Sequence, residues 1–201
     1  MISPIQYVSA LWLAWLFGWL LASGWTSKTV SRESPASQLT HSVFIWMGAI
    51  LLFFQFSIGG FLQRRFMPDS TWIVWAGLVV VAAGLGFASW ARLILGRLWS
   101  GSVTLKEDHA IVRTGPYGLT RHPIYTGLLL AVIGTVLVRG TLAALLGSFL
   151  LALGLTLKIR QEERLLTEHF GDAYRAYQAE VPAVVPFPRS GRDFAKTGSN
   201  E

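Results

Sequence analysis

Four long apolar blocks constrain this chain more than any other feature of its sequence. Residues 5–25, 41–62 and 71–95 form the first three, and each approaches or exceeds the roughly 20 residues with which a helix crosses a bilayer. The fourth block, residues 124–158, is too long for one span, and Arg139-Gly140 divides it. A charged residue followed by glycine indicates a tight turn between two helices. The pattern predicts an all-α, polytopic membrane bundle of about five transmembrane helices.

Composition agrees with a membrane protein and excludes several kinds of site. Hydrophobic residues make up 52% of the chain and charged ones 14%, whereas soluble domains carry about 25% charged residues. Cysteine is absent, which excludes disulfides, thiolate catalysis and cysteine–zinc sites. No group of His, Asp and Glu has the spacing of metal ligands, so we predict no metal site. The net charge of +6 is scattered between apolar runs, and we expect no nucleic-acid partner.

The basic residues also predict how the chain is divided and oriented. We expect transmembrane helices 1–3 in residues 1–97, a functional core of loop, helical hairpin and cytoplasmic C-terminal helix in residues 98–188, and a disordered tail in residues 189–201. With the loop before residue 123 in the cytoplasm, only Arg64, Arg65 and Arg139 of the 17 Lys and Arg residues would lie outside. The sequence therefore predicts a multi-pass integral membrane protein, of the inner membrane if bacterial, with its active site facing the cytoplasm.

A polar loop before the hairpin carries the first group of candidate site residues. Glycine and proline at positions 115–118 indicate a tight turn that exposes main-chain polar groups. Pro123 suits the first turn of a helix, so Arg121 and His122 lie just before a helix N-terminus, a place suited to anions. The alternative is a snorkelling arginine and a capping cluster at a membrane boundary.

A polar helix predicted over residues 159–177 carries the second group. At about 100° per residue, one stripe of this helix is formed by Leu166, Phe170, Tyr174 and Tyr177. Glu163 lies within about 60° of each of them, whereas Glu162 points off to the side. A carboxylate on such a face is costly without a cation, which Arg121 or a bound cation would supply. The alternative is a structural Arg–Glu pair that closes the bundle. We interpret the Trp residues as interfacial anchors.

At these two segments the sequence resembles the isoprenylcysteine carboxyl methyltransferase family and, more distantly, the phospholipid N-methyltransferases. The shared residues in the loop are Gly115-Pro116-Tyr117, Arg121-His122-Pro123, Tyr125 and Gly127. Those after the hairpin are Glu162-Glu163, His169-Phe170-Gly171, Tyr174, Tyr177, Val181-Pro182 and Pro186-Phe187. The first three apolar blocks carry no signature of the family.

The resemblance implies a cofactor, S-adenosyl-L-methionine, bound between the loop and the C-terminal helix. Carried over, the methionine part would be held by His122, Tyr125 and the backbone of Gly115, Pro116 and Tyr117. Val185, Pro186 and Phe187 would cover the adenosine. Glu163, or else Glu162, would face the ammonium of the cofactor or a substrate group, and Arg121 would hold the methyl acceptor.

The nature of the acceptor stays open at this point. A carboxylate is already ionised at neutral pH and needs positioning, to which arginine is suited, whereas an amine would need Glu163 as a base. The leading hypothesis is carboxyl O-methylation of a prenylcysteine or other lipidic acid, drawn from the membrane. The alternatives are a phospholipid or small-amine N-methyltransferase and a non-catalytic transporter subunit or scaffold.

Overall fold

The structure, a computed structural model, describes residues 3–54, 60–106 and 110–186. Within these ranges it contains six α-helices and two short strands. In chain order they are α1 (Pro4–Ala22), β1 (Thr29–Arg32), α2 (Pro35–Phe53), α3 (Thr71–Leu95), β2 (Thr104–Lys106), α4 (Pro123–Arg139), α5 (Leu142–Phe170) and α6 (Asp172–Glu180). Single turns of 3-10 helix occupy Gly96–Leu98 and Gly115–Gly118. The prediction of a helical membrane bundle is confirmed, and an antiparallel β1–β2 ribbon adds to it.

Four of the described helices, α1, α2, α3 and α5, are long and apolar enough to cross a membrane. The fifth apolar helix, α4, has 17 residues. At a rise of about 1.5 Å per residue it extends for about 25 Å, at the short end of the range for spanning helices. The predicted hairpin is confirmed, because Gly140 ends α4 in the left-handed conformation (φ 58°, ψ 20°) and α5 begins two residues later.

Glycine pairs set how closely the helices approach. On the α3–α4 seam Gly77 faces Gly134 and Gly84 faces Gly127, and a Cβ atom placed on Gly84 would lie 2.5 Å from the carbonyl oxygen of Gly127. On the α2–α5 seam, a Cβ atom on Gly48 would lie 2.6 Å from the carbonyl oxygen of Gly147. Main chains in contact at glycine are typical of membrane helices, where packing rather than hydrophobic burial drives association.

The two ends of the bundle have different contents. At one end, the main-chain amide of Phe66 donates to the carbonyl of Gly140 (2.8 Å) and Arg65 donates to the carbonyl of Arg139 (3.1 Å). The basic residues that the sequence assigned to the outer side are thus together at this end. The opposite end carries the β-ribbon, the polar loop before α4 and helix α6.

Two boundaries differ from the sequence predictions. Helix α2 begins at Pro35, six positions before the second apolar block, because Ser34 caps it with its side chain on the amide of Ser37 (3.3 Å). The single helix predicted over residues 159–177 is wrong: α5 ends at Phe170, Gly171 adopts φ 55°, and α6 follows in a new direction. The predicted tail, residues 189–201, lies outside the described residues.

Candidate active site

The loop before α4 is fixed by the segment that follows α6. The amides of Arg121 and His122 donate to the carbonyls of Pro182 and Ala183, each at 2.9 Å. One helical turn further, the hydroxyl of Thr126 donates to the carbonyl of Val184 (2.7 Å). The C-terminal segment therefore pairs with the loop as an extended strand would, and it brings the two predicted groups of site residues together.

Arg121 and Glu163 form a buried ion pair at the centre of this junction. Nε of Arg121 donates to Oε1 of Glu163 at 2.7 Å, and the arginine side chain is 8% exposed. Its Nη1 group donates to the carbonyls of Gln178 (3.1 Å) and Val181. The predicted cationic partner of Glu163 is confirmed as Arg121. Because this guanidinium also binds two carbonyls after the helix break, it ties α5 to α6 and to the segment that follows.

His122 lies between two carboxylates. Its Nε2 atom is 3.2 Å from Oε1 of Glu163, and its Nδ1 atom is 3.4 Å from Oε2 of Glu162. Burial by itself lowers the pKa of this imidazole, but hydrogen bonds and charge attraction from Glu162 and Glu163 outweigh burial, so that the pKa of His122 is raised above its ordinary value. The two acids therefore favour protonation of this imidazole.

Glu162 faces a cavity, although the helical phase predicted that it would point aside. Its Oε1 atom accepts a hydrogen bond from the hydroxyl of Tyr125 at 2.7 Å. The cavity and the junction lie on two different sides of α5, and which of the two acids contacts a cofactor stays a prediction. Neighbouring residues diverge by about 100°, so Glu162 reaches the cavity while Glu163 reaches Arg121.

The cavity has a volume of about 270 Å³ and lies among α1, α4, α5 and the irregular segment before β2. Its polar lining consists of Tyr117, Arg121, His122, Tyr125, Lys158 and Glu162. The irregular segment contributes Ser100, Gly101 and Ser102, and Thr104 follows at the start of β2. Its apolar lining includes Trp15, Trp19, Leu95, Leu98, Trp99, Ile124, Leu128, Leu165 and Leu166. A single chamber thus has a charged part and an aromatic and aliphatic part.

Lys158 is a cavity residue that the sequence did not single out. Its Nζ atom donates to the carbonyl of Gly101 at 2.7 Å and lies 5.6 Å from the centre of the Tyr125 ring. Lys158 precedes Glu162 by four positions on α5, which places both on the same face of the helix. The four-residue spacing from Glu162 is the sequence feature that could have indicated Lys158 as a site residue.

Three tryptophans also belong to the cavity rather than to a lipid boundary alone. The rings of Trp15 and Trp19 are 4.5 Å apart, and those of Trp19 and Trp99 are 5.4 Å apart. The indole N–H of Trp15 donates to the hydroxyl of Ser89 (3.0 Å) inside the bundle. These residues therefore have contacts that the interpretation as interfacial anchors did not include, whereas Trp72 is 85% exposed.

Several predicted cofactor residues stand apart from the cavity. The residues that line it do not include Gly115, Pro116, Glu163, Val185 or Pro186. Pro116 is buried, and Val185 is half exposed. Phe187 lies outside the described residues. Direct contact of these residues with a cofactor stays a prediction, while Tyr117, His122 and Tyr125 do line the chamber.

Helix α6 supports the turn that presents Tyr117. The hydroxyl of Tyr177 donates to the carbonyl of Tyr117 at 2.6 Å, and the guanidinium of Arg113 lies 5.0 Å from the centre of the Tyr177 ring. Burial raises the pKa of Tyr177 to about 12 against the opposing influence of Arg121 and Arg113, so this phenol stays a donor at physiological pH.

Comparison with known proteins gives matches that centre on the same residues. Residues 75–168 match the model of the isoprenylcysteine carboxyl methyltransferase (ICMT) family. This range holds α3 without its first four residues, α4, and α5 without its last two residues, with Arg121, His122 and both glutamates.

Three relatives illustrate the range of similarity. The protein-S-isoprenylcysteine O-methyltransferase of Schizosaccharomyces pombe is 32% identical over 114 residues, which are 55% of this chain and 48% of the relative. That of Xenopus laevis is 30% identical over 162 residues, 74% and 52% of the two chains. The nickel-cobalt-cadmium resistance protein NccN of Alcaligenes xylosoxydans xylosoxydans is 32% identical over 162 residues, 78% and 71%. The chain thus spans about half the length of these two methyltransferase relatives.

A solved structure has a related fold. The eukaryotic intramembrane Ras methyltransferase ICMT matches with a TM-score of 0.55 and 24% identity, over 79% of this chain and 55% of the other. This likeness concerns the fold of the bundle.

Proposed function

Because this chain belongs to the isoprenylcysteine carboxyl methyltransferase family, we propose that it is a membrane enzyme that transfers a methyl group from S-adenosylmethionine to the carboxylate of a lipidic acid, such as a prenylcysteine. The observation that carries the proposal is the chamber whose charged part, around His122 and Glu162, continues into an aromatic and aliphatic part around Trp19. A substrate with a polar head and an apolar tail matches both parts.

The chemistry of the lining fits the cofactor. S-adenosylmethionine, when bound, supplies a methyl group activated by a sulfonium. Glu162 presents a carboxylate in the cavity, which suits the ammonium of the cofactor, and the rings of Tyr117 and Tyr125 present faces on which a cation is attracted. Trp19 and Trp99 provide flat apolar surface. A cation enclosed in apolar surroundings would be costly, and these groups reduce that cost.

The residues around Glu162 hold it in one orientation. Tyr125 donates to one carboxylate oxygen and His122 faces the other, so the carboxylate cannot rotate away without losing both contacts. In this role Glu162 binds the cofactor, and Tyr125 and His122 orient Glu162. Glu163 acts through Arg121, by fixing the loop that carries His122. The roles proposed for the two neighbouring acids therefore differ.

The charges in the cavity favour an acid as methyl acceptor. Glu162 is assigned to the cofactor and Arg121 is paired with Glu163, so an acceptor amine in its cationic form would meet the like charge of Lys158. A carboxylate would be attracted, and Lys158 keeps ammonium hydrogens beyond the one it donates to Gly101. An ionised carboxylate needs no proton removed, so these residues contribute alignment and exclusion of water.

The apolar part of the chamber suits the tail of such an acid. Trp15 and Trp19 come from α1 and Leu165 and Leu166 from α5, two helices of membrane-spanning length. A prenyl or acyl chain would lie among these side chains while its carboxylate meets Lys158. We place this end of the bundle at the cytoplasmic face, because Arg64, Arg65 and Arg139 gather at the other end and cytoplasmic loops carry the excess of basic residues.

Binding and transfer can be tested separately. Titration of S-adenosylhomocysteine into detergent-purified protein, followed by calorimetry, should give saturable binding, and its absence would refute the proposal. Transfer of a labelled methyl group should then occur to a prenylcysteine analogue and not to phosphatidylethanolamine. The reverse preference would favour the N-methyltransferase hypothesis, in which Glu162 would serve as the base.

A further inference from the structure

A buried acid and histidine lie outside the charged cluster of the cavity. The side chain of Glu33 is 0% exposed and that of His41 is 5% exposed, and Nε2 of His41 is 3.1 Å from both carboxylate oxygens of Glu33. The hydroxyl of Ser37 donates to the same carboxylate at 2.9 Å. Both titratable residues precede the part of the chain that matches the family model, residues 75–168.

Glu33 binds one residue of the cavity wall through both its main chain and its side chain. Its amide donates to the carbonyl of Val103 at 3.0 Å, and its Oε1 atom accepts from the amide of Val103 at 3.2 Å. Val103 is buried and lines the cavity. Its neighbours Ser100, Gly101, Ser102 and Thr104 line the cavity as well. The carboxylate thus has three donors: Ser37, His41 and Val103.

The free-energy cost of leaving the amide of Val103 without a partner explains why a carboxylate is present at this position. A buried main-chain amide without a partner is costly, and outside helices and sheets no regular ladder of hydrogen bonds supplies one. Residues 99–103 form neither helix nor strand. Glu33 supplies the acceptor for Val103, and His41 and Ser37 satisfy the remaining lone pairs of that carboxylate, whose burial would otherwise be unfavourable.

The position of this wall determines the width of the cavity. Residues 100–102, which line the chamber, are Ser, Gly and Ser and have only short side chains. Lys158 holds the carbonyl of Gly101 from α5, and Glu33 holds Val103 from the start of α2. A wall released by Glu33 would move relative to α5 while Glu162, His122 and Tyr125 keep their mutual contacts.

We propose that Glu33, held in place by His41 and Ser37, is a positioning residue that fixes the wall of residues 100–104 and thereby sets the affinity for the methyl acceptor. This inference rests on the proposed function. It assigns to α2 and the segment before it a part in the site, although no side chain of α2 lines the cavity. Cofactor binding should depend on it less, because Glu162, Tyr117 and Tyr125, the polar groups assigned to the cofactor, lie on other elements.

The experiment compares Glu33→Ala with Glu33→Gln, which keeps an oxygen that can accept from Val103. We expect Glu33→Ala to raise the KM for a prenylcysteine analogue about tenfold, with kcat and the Kd of S-adenosylhomocysteine within about twofold of wild type. Glu33→Gln should restore the KM to within about threefold of wild type. The control is Glu168→Ala, which removes an exposed carboxylate paired with Arg164 and should leave all three constants unchanged.

Hydrogen exchange gives a second measurement that needs no turnover. We expect faster exchange of peptides covering residues 98–104 in Glu33→Ala than in Glu168→Ala, with α4 unchanged. If Glu33→Ala does not fold, His41→Gln replaces it in both measurements. Unchanged exchange together with an unchanged KM would overturn the inference, as would a KM that Glu33→Gln fails to restore. Wild-type protein without cofactor binding would instead refute the proposed function, and the exchange measurement would still test the wall.

Discussion

The hydroxyl of Tyr125 on α4 lies 2.7 Å from a carboxylate oxygen of Glu162 on α5, and this contact joins the two arms of the helical hairpin beside the cavity. Glu163, the next residue, turns its carboxylate to Arg121 and away from the chamber. Two adjacent acids of the same type therefore have different surroundings. Glu162 faces the cavity, and Glu163 belongs to a partly buried ion pair that joins secondary-structure elements.

This difference predicts separable effects of substitution. Glu162→Gln should weaken the binding of S-adenosylhomocysteine at least tenfold, or about 1.4 kcal/mol, because the cavity loses its carboxylate. Glu163→Gln should mainly lower the free energy of unfolding, by about 2–4 kcal/mol, since it leaves the buried guanidinium of Arg121 without a charged partner. Calorimetric titration and thermal unfolding of the same preparations in detergent check the two effects. Equal losses of affinity and stability in both variants would contradict the assignment.

Lys158 provides a test of acceptor charge. We expect Lys158→Gln to lower kcat/KM for a carboxylate acceptor about tenfold, because the cavity loses an ammonium that attracts the acid. Lys158→Arg should retain most of the activity, since it keeps the positive charge. The α-carboxylate of the cofactor is the other anion that this lysine could bind. A loss of affinity for S-adenosylhomocysteine in Lys158→Gln, with the acceptor KM unchanged, would assign the lysine to the cofactor.

The position of His122 between Glu162 and Glu163 predicts a dependence of stability on pH. Its pKa is raised in the folded protein, so protonation favours folding. The contribution is fully present below the unfolded pKa of about 6.5 and is lost as the pH rises through the higher folded value. Thermal unfolding of wild type from pH 6 to pH 9 should therefore show a decline that His122→Gln lacks. Parallel curves for the two proteins would refute this role of the imidazole.

The α3–α4 seam predicts a contrast between two glycines of one helix. A Cβ atom on Gly84 would lie 2.5 Å from main-chain atoms of Gly127 and Ala131, whereas one on Gly86 would meet nothing within 4 Å. Gly84→Ala should destabilise the protein by about 1–3 kcal/mol, because the main chains must separate. Gly86→Ala should be neutral or stabilising by up to about 1 kcal/mol, since alanine favours the helix. Chemical unfolding in detergent distinguishes them, and equal effects would contradict close packing at Gly84.

The sequence predicted the features that depend on local pattern. Hydropathy located the spans, a charged residue with glycine located the hairpin at Gly140, and helical phase correctly indicated Arg121 as a partner for Glu163. The phase argument separated Glu162 from Glu163, but it did not indicate a cavity on the side of Glu162. It also continued the helix through Gly171, where the chain adopts φ 55° and ψ −126°, a conformation that glycine permits and that ends α5.

The features that the sequence did not predict arise from contacts between distant segments. Trp99 and Trp19 are far apart in the chain and meet only because α1 packs beside the end of α3. The Glu33–Val103 contact likewise joins residues 70 positions apart. Glu33 lies two residues before Pro35, the first residue of α2, and an exposed glutamate at that position would have the same local sequence pattern. Tertiary structure therefore determines both the cavity wall and its aromatic lining.

The glycines of the seams recur at intervals of seven residues, at 77 and 84, at 127 and 134, and at 147 and 154. Because each pair on α3 and α4 meets in antiparallel order, sliding either helix by one turn would bring a larger side chain against a main chain that has no room for it. The equal spacing of the glycines therefore fixes the axial position of each helix relative to its neighbour. That height sets how far Arg121 and His122, at the start of α4, project beyond the end of α3. Glycines in the middle of the bundle thus influence where Arg121 and His122 lie at its end.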